Sequence, residues 1–452
     1  MRTGADVVVC GAGIAGLATA YQLAVRHGMR RVVVVDDREP MTLTTDKGTQ
    51  GYRNWWPGPD DTMFRLVSRS IDILEQLAVE SGNAFRVNRR GYLFATARDD
   101  ELARLRQMAE VVSSYGMGAL RTHDSLDGYR RSQPEGFSHH PTGADLLLGD
   151  AALQAFPYLA PDVRAVLHVR RAGWVQSVAM GDWMLTRALA VGASFVRDRV
   201  VGVRTTGGRV VAVQLASGAV IETERFVIAA GPALPEVAGM LDITLPVFHE
   251  LHSKMLFHDP LRVVPRDAPF VIWGDPERLP WTDAERAELI EEGDARLTET
   301  LPAGVHVRPL DGPHGDELYL IWTYETDRRP YTWPPSFDAR TSSVLVRGMI
   351  RMVPGFSVYR DAHTAGIVDG GYYCKTPENR PLVGPLPIDG AFVVGALSGS
   401  GLMSSHACAE LVARHLTGES LPEYARWFLP SRYDDPAYKA AVERWGPLVG
   451  QL

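Results

Sequence analysis

The stretch from Ala5 to Asp37 constrains this chain more than any other. A short apolar run, Ala5-Asp-Val-Val-Val-Cys10, leads into Gly11-Ala-Gly13-Ile14-Ala15-Gly16 and then Leu17 to His27, closed by Gly28. The pattern reads as a buried strand, a tight turn and a helix with Gly28 as its C-cap. A second strand, Arg31 to Val35, ends at Asp36-Asp37, with Asp36 20 residues beyond Gly16. The three glycines differ in what they allow. Gly11 permits the turn, Gly13 lets the backbone approach a pyrophosphate, and Gly16 lets the helix pack closely on the strand. The helix N-terminus supplies free N–H groups and a positive dipole end for phosphates. An acid at the end of the second strand accepts hydrogen bonds from ribose hydroxyls. The whole order predicts a dinucleotide site rather than an unrelated glycine-rich turn. Gly11, Gly13, Ile14, Ala15, Gly16, Asp36, Asp37 and Arg38 are placed at the cofactor.

At 452 residues the chain is long enough for two or more domains. An apolar share of 45% and a charged share of 22% exclude a disordered or collagen-like chain. A net charge of -7 with no basic block argues against nucleic acid as a partner. Cys10, Cys374 and Cys408 are too few and too scattered for a disulfide framework or a zinc cage, so a reducing, cytoplasmic setting is expected. The apolar run Val7 to Ala20 is interrupted by glycines and headed by Asp6, unlike a signal peptide. No run reaches the ~18 apolar residues of a membrane span, and a soluble, unprocessed chain is expected. Only Lys47, Lys254, Lys375 and Lys439 are lysines among the 47 basic residues. Where arginine serves so widely, a surviving lysine marks a place for a compact, titratable ammonium.

Segment Asp198 to Pro232 reads as a β-meander with turns at Thr205–Gly208 and Ser217–Gly218, ending in the strand Phe226 to Ala230 and Gly231-Pro232. A dinucleotide unit first and a late strand ending in Ala-Ala-Gly-Pro resembles the flavoproteins of the glutathione-reductase-like superfamily, which bind FAD. Near the C-terminus stand Gly370-Gly-Tyr372-Tyr373-Cys374-Lys375-Thr376-Pro377-Glu378-Asn-Arg-Pro381-Leu-Val-Gly384 and Gly395-Ala-Leu-Ser398-Gly399-Ser400-Gly401-Leu402-Met403, with a helix from about His406. These segments resemble the D-amino-acid oxidase family, which includes sarcosine oxidase, glycine oxidase and dimethylglycine dehydrogenase. A helix N-terminus with glycine-exposed N–H groups stabilises the negative charge that reduction places on the flavin pyrimidine.

The resemblance implies an α/β fold: a Rossmann-like FAD domain of glutathione-reductase type (1–90, 150–235 and 355–452) with an interleaved, mostly antiparallel substrate sheet (91–149 and 236–354). It implies FAD as cofactor, held at Thr45, Lys47, Gly48 and Thr49 of the flavin-side loop and at Val200, Gly231, Gly395, Gly399, Ser400, Gly401, Leu402 and Met403. FAD is expected to be noncovalent: Gly371 stands where relatives carry a flavin-linked cysteine, and the loop Asp36 to Asp60 has no histidine. The implied chemistry is oxidation of a C–N bond in a small amine or amino acid, with oxygen or another electron acceptor. Arg53, Lys254, Tyr319, Tyr372 and Tyr373 are the candidate catalytic wall, Lys254 standing in for the oxygen-activating lysine of relatives. Met403 occupies the place of their carboxylate-gripping lysine. A flavin monooxygenase or dehydrogenase on a non-amine substrate, or a flavin-stabilised binding protein without turnover, are the alternatives.

Other features carry less. His249, His252 and His258 fall on one strand, where residues three apart face opposite sides, so no metal is expected. Asp150 is read as the N-cap of a helix from Ala151. Thr282 to Glu285 is a capping box opening a helix to about Thr298. Trp55, Trp56, Trp273, Trp322 and Trp333 suggest a roomy aromatic pocket, against the commoner reading of core residues.

Overall fold

The computed structural model describes residues 3–310, 315–360 and 366–445. The valine runs Val7–Cys10 (β1) and Val32–Asp36 (β2) lie side by side, in parallel, inside a six-stranded sheet. Its order is Ser194–Arg197, β2, β1, Phe226–Ile228, Ala391–Gly395 and Leu382–Pro385, with only the last pair antiparallel. Unbroken apolar strands suit a parallel sheet covered on both faces. Helix α1 (Ile14–Tyr21), α2 (Thr62–Glu80) and α3 (Gly401–Thr417) pack together, with α3 against both of the others. A π-helical turn, Gln22–Arg26, prolongs α1, and Gly28 follows it at φ +69°, as a C-capping glycine should.

The second large sheet has nine strands. Three of them matter for the site: β3 (Phe248–His258), β4 (Glu317–Ile321) and β5 (Gly366–Lys375). The order is β5, β3, β4, His306–Pro309, Phe270–Trp273, Tyr92–Thr96, Ala165–Val169, Ala144–Leu148 and Leu120–His123. Two neighbouring pairs are parallel and the other pairs antiparallel. The mostly antiparallel sheet expected from the sequence is therefore present, as is the parallel nucleotide sheet. Ala165–Val169 and β5, both in ranges assigned to the FAD unit, are strands of the nine-stranded sheet, the first between Tyr92–Thr96 and Ala144–Leu148; the long β3–β5 pairing, from Phe248↔Lys375 to Phe257↔Gly366, carries β5 there. The meander Val200–Thr206, Arg209–Leu215 and Val220–Glu222 forms as expected and adds Thr3–Gly4 as a fourth strand.

Three local expectations shift. Helix α3 begins at Gly401 rather than His406, because the glycine loop turns directly into it. The Thr282 capping box forms with both of its hydrogen bonds, but the helix stops at Glu291, and Gly293 at φ +89° turns the chain away. Leu148, not Asp150, is the N-cap of Gly149–Ala155; Asp150 sits in the first turn, where its carboxylate meets the positive dipole end. Among the described residues no helix is long and apolar enough to cross a membrane, and no group of three or more His, Cys, Asp or Glu could hold a metal ion.

Candidate cofactor and substrate site

A cavity of about 380 Å³ opens at the carboxyl ends of β1 and β2, walled on one side by the nucleotide sheet and on the other by β5. This is where open α/β sheets bind ligands. Gly11, Gly13, Ile14, Ala15, Asp36, Asp37, Arg38, Thr45, Gly48, Thr49, Val200, Gly231, Gly395, Gly399, Gly401 and Leu402 all line it. The glycines of the first turn divide their work. Gly11 stands at φ +113°, and a Cβ there would lie 2.4 Å from the Ala229 carbonyl oxygen. A Cβ on Gly16 would lie 1.8 Å from the Gly11 carbonyl oxygen, so its constraint comes from the turn itself more than from the strand. A Cβ on Gly13 would meet only Thr45 Oγ1, at 3.4 Å, an ordinary contact. The fold needs Gly11 and Gly16; Gly13 leaves room toward the cavity, as a pyrophosphate requires.

Asp36 ends β2 with its carboxylate accepting from the Ala12 N–H at 2.7 Å and the Arg38 N–H at 3.0 Å. Burial pushes its pKa up against these two hydrogen bonds. At the other end of the cavity the loop from Gly395 to Gly401 carries Ala396 at φ +52° and Ser398 at φ +54°. Met41 and Gln50, at φ +67° and +58°, also line the cavity. Four of the ten left-handed non-glycine residues described thus gather at one site, the pattern of backbone held for function. Ser400 makes no capping hydrogen bond to α3, and the first residues of that helix, Gly401 and Leu402, line the cavity. Phosphate cradle, ribose acceptor and helix N-terminus fit the three polar parts of FAD. Ser400 and Met403 are buried in the packing of α3 and do not line the cavity.

On the opposite wall β5 presents Tyr372 and Tyr373. Tyr373 stacks on the His252 ring at 4.0 Å and 20°. His252 Nε2 is 2.9 Å from Glu250 Oε2, its Nδ1 is 3.1 Å from Thr323 Oγ1, and Lys375 Nζ donates to Glu250 at 2.9 Å. Burial raises the Glu250 carboxyl, but the hydrogen bonds from His252 and Lys375 outweigh it and hold the pKa below its usual value. Burial pushes the Tyr373 hydroxyl up to about 12, so it stays protonated.

Lys254, Tyr319, Arg53 and Lys47 of the flavin-side loop do not line this cavity. Lys254 Nζ donates to the Asp46 carbonyl at 2.5 Å and lies 4.4 Å over the Tyr319 ring; burial lowers its pKa to about 8. Lys47 donates to Asp369 at 2.7 Å. Arg53 is buried with its guanidinium 5.4 Å over the Tyr92 ring. Arg308, which the sequence did not single out, donates to the Thr49 carbonyl at 2.8 Å. Its signal, one arginine among 43, is invisible without the sheet. A Cβ on Gly371 would lie 3.0 Å from Lys47 Cβ, and Cys374 lines the cavity with its thiol pushed up to about 12 by burial. Glu378 turns away from the cavity and accepts from Arg432, Tyr433 and Tyr438 at 2.7 to 2.8 Å, tying down the C-terminal segment. Of the five tryptophans expected around a pocket, only Trp333 lines this cavity; Trp55, Trp56, Trp273 and Trp322 are core residues.

The sequence model of the DAO family, described as FAD dependent oxidoreductase, matches residues 6–415, which takes in both sheets and every motif above. The chain belongs to the DAO family of FAD-dependent oxidoreductases. Its cofactor is FAD, and the family's members are flavin enzymes. A curated relative, the sarcosine oxidase subunit beta of Rhizobium meliloti (strain 1021), is 26% identical over 258 residues. That match takes in 56% of this chain and 55% of the relative, so the chain spans about half the length of the curated relative. Among solved structures, L-proline dehydrogenase from P. horikoshii superposes with a TM-score of 0.74 at 19% identity, over 96% of this chain and 99% of that one. Glycine oxidase from Geobacillus kaustophilus gives 0.72 at 16% identity, over 95% and 99%. At these identities the likeness is one of fold.

Proposed function

We propose that this DAO-family enzyme oxidises the C–N bond of a small amine or amino acid. The observation that carries the reading is the aromatic wall of Tyr372 and Tyr373, facing the N-terminal end of α3 across one cavity. When bound, FAD supplies the hydride acceptor. The chain's own residues bind, orient and dry the substrate. The two tyrosines offer apolar faces to the carbon skeleton, and the Tyr373 hydroxyl, protonated across the working pH range, can hydrogen-bond a neutral amine. His252 and Glu250 lie behind Tyr373 and fix its ring by stacking and by their own hydrogen bond. A neutral amine needs no strong base at the reacting carbon, so orientation and exclusion of water are what the protein contributes. The names of the relatives, sarcosine oxidase, proline dehydrogenase and glycine oxidase, support an amine or amino-acid substrate. FAD held without a covalent bond is part of the same reading, since the Cys374 thiol is kept protonated by burial.

The test is the absorbance of anaerobic holoenzyme as primary, secondary and N-methyl amines and amino acids are added, followed by air. Loss of the oxidised-flavin band with one of these classes is expected. Its return in air with peroxide identifies an oxidase, and its failure to return identifies a dehydrogenase. A band untouched by every amine overturns the reading in favour of a non-amine substrate.

A further inference from the structure

Two aromatic side chains in the FAD cavity, Tyr331 and Trp333, come from the segment that follows β4 of the nine-stranded sheet. The segment is fastened to the β3–β5 ribbon at successive residues. Arg328 lies 4.1 Å over the Phe248 ring, and the Arg329 N–H donates to the His249 carbonyl at 2.9 Å. Tyr331 meets Tyr372 edge-on at 5.3 Å, and Thr332 Oγ1 hydrogen-bonds the Tyr372 hydroxyl at 2.9 Å. Past these anchors Trp333 reaches Arg38, whose guanidinium stands 4.8 Å from the centre of its ring. Arg38 is two residues beyond Asp36, the ribose acceptor, and its N–H is bonded to that carboxylate. The Arg38–Trp333 pair therefore marks the adenosine end of the cavity, opposite the α3 end where Leu402 lies. Trp333 keeps 39% of its surface exposed, unlike Trp56, Trp273 and Trp322, which are at most 2% exposed. An indole and a guanidinium are both flat, and both stack on a purine.

We propose that Trp333 and Arg38 form a stacking platform for the adenine of FAD, so that a loop of the substrate sheet closes the adenosine end of the cofactor site. The cofactor is then held by both sheets, and the platform selects FAD over FMN, which lacks the adenylate. The experiment strips flavin from the full-length protein and titrates it with FAD and, separately, with FMN, following quenching of flavin fluorescence. Trp333→Ala is expected to weaken FAD binding by about tenfold or more, the worth of one base–aromatic stack, and to leave FMN binding unchanged. Trp333→Phe is expected to recover most of the loss. FAD affinity within about twofold of the parent overturns the proposal, at a scale well below one stack. An equal loss for FAD and FMN overturns it too, because the loop would then act on the flavin end or on the fold as a whole. Should Trp333→Ala fail to fold, FAD release from Trp333→Leu holoenzyme decides: faster release supports the platform and an unchanged rate overturns it.

Discussion

Single residues here separate what the fold demands from what the ligand demands. Gly16 is forced by its own turn, since a methyl carbon there would lie 1.8 Å from the Gly11 carbonyl oxygen. Gly13 is not forced by the protein: at φ -75° any residue is comfortable, and its absent Cβ would touch only Thr45. Gly16→Ala is expected to cost about 3 kcal/mol or more by overpacking. Gly13→Ala is expected to leave the flavin-free protein within about 1 kcal/mol of the parent, as a surface change would, while weakening FAD binding at least about tenfold, the factor that 1.4 kcal/mol makes. Chemical denaturation of flavin-free protein and fluorescence titration with FAD check the pair. Equal destabilisation by both substitutions would show that Gly13 serves the fold after all.

Among the elements, the nine-stranded sheet does more than wall the cavity; it holds the flavin-side loop. Lys254 of β3 and Arg308 of the strand His306–Pro309, on the far side of β4, each donate to a carbonyl of the flavin-side loop, at Asp46 and at Thr49. These cations were legible in the sequence only in part. The scarcity of lysine drew attention to Lys254, but its reach to the Asp46 carbonyl follows from the antiparallel pairing of β3 with β4 and β5. Burial lowers the Lys254 pKa from 10.5 to about 8, so the unfolded chain binds the extra proton between those values. Stability from this group therefore rises with pH across that window and is lowest below about 8. Relative to a Lys254→Met variant, the parent is expected to gain stability as pH rises from about 8 toward 10.5. Denaturant unfolding of both proteins at the two ends of the window measures this, and a difference that does not move with pH would mean that Lys254 is solvated in the folded state.

At the scale of the whole molecule, one cavity is lined by segments far apart in the chain, including the first turn, the Gly395–Gly401 loop and the segment that carries Trp333. A ligand that binds only when these are together stabilises the assembly by mass action, by about 2.7 kcal/mol at a hundred times its Kd. Thermal unfolding is accordingly expected to move upward with added FAD and to keep rising with its logarithm, and a midpoint indifferent to FAD would count against the assignment of the cavity. The sequence by itself determined the parallel six-stranded sheet, the glycine turn after β1, the place of Asp36 at the end of β2, the meander and the glycine loop before α3. These are local: hydrophobic period, turn chemistry and glycine spacing act over a few residues and need no partner to be read. Only the tertiary structure decided that Lys254 and Arg308 hold carbonyls of the flavin-side loop, that Lys47 pairs with Asp369, that Glu378 anchors the C-terminal segment, and that Trp333 alone of the five expected tryptophans reaches the cavity. Each of those depends on which strands become neighbours and in what register. Pairings such as Lys254↔Asp369 join residues more than 100 positions apart, so no window of sequence contains both partners.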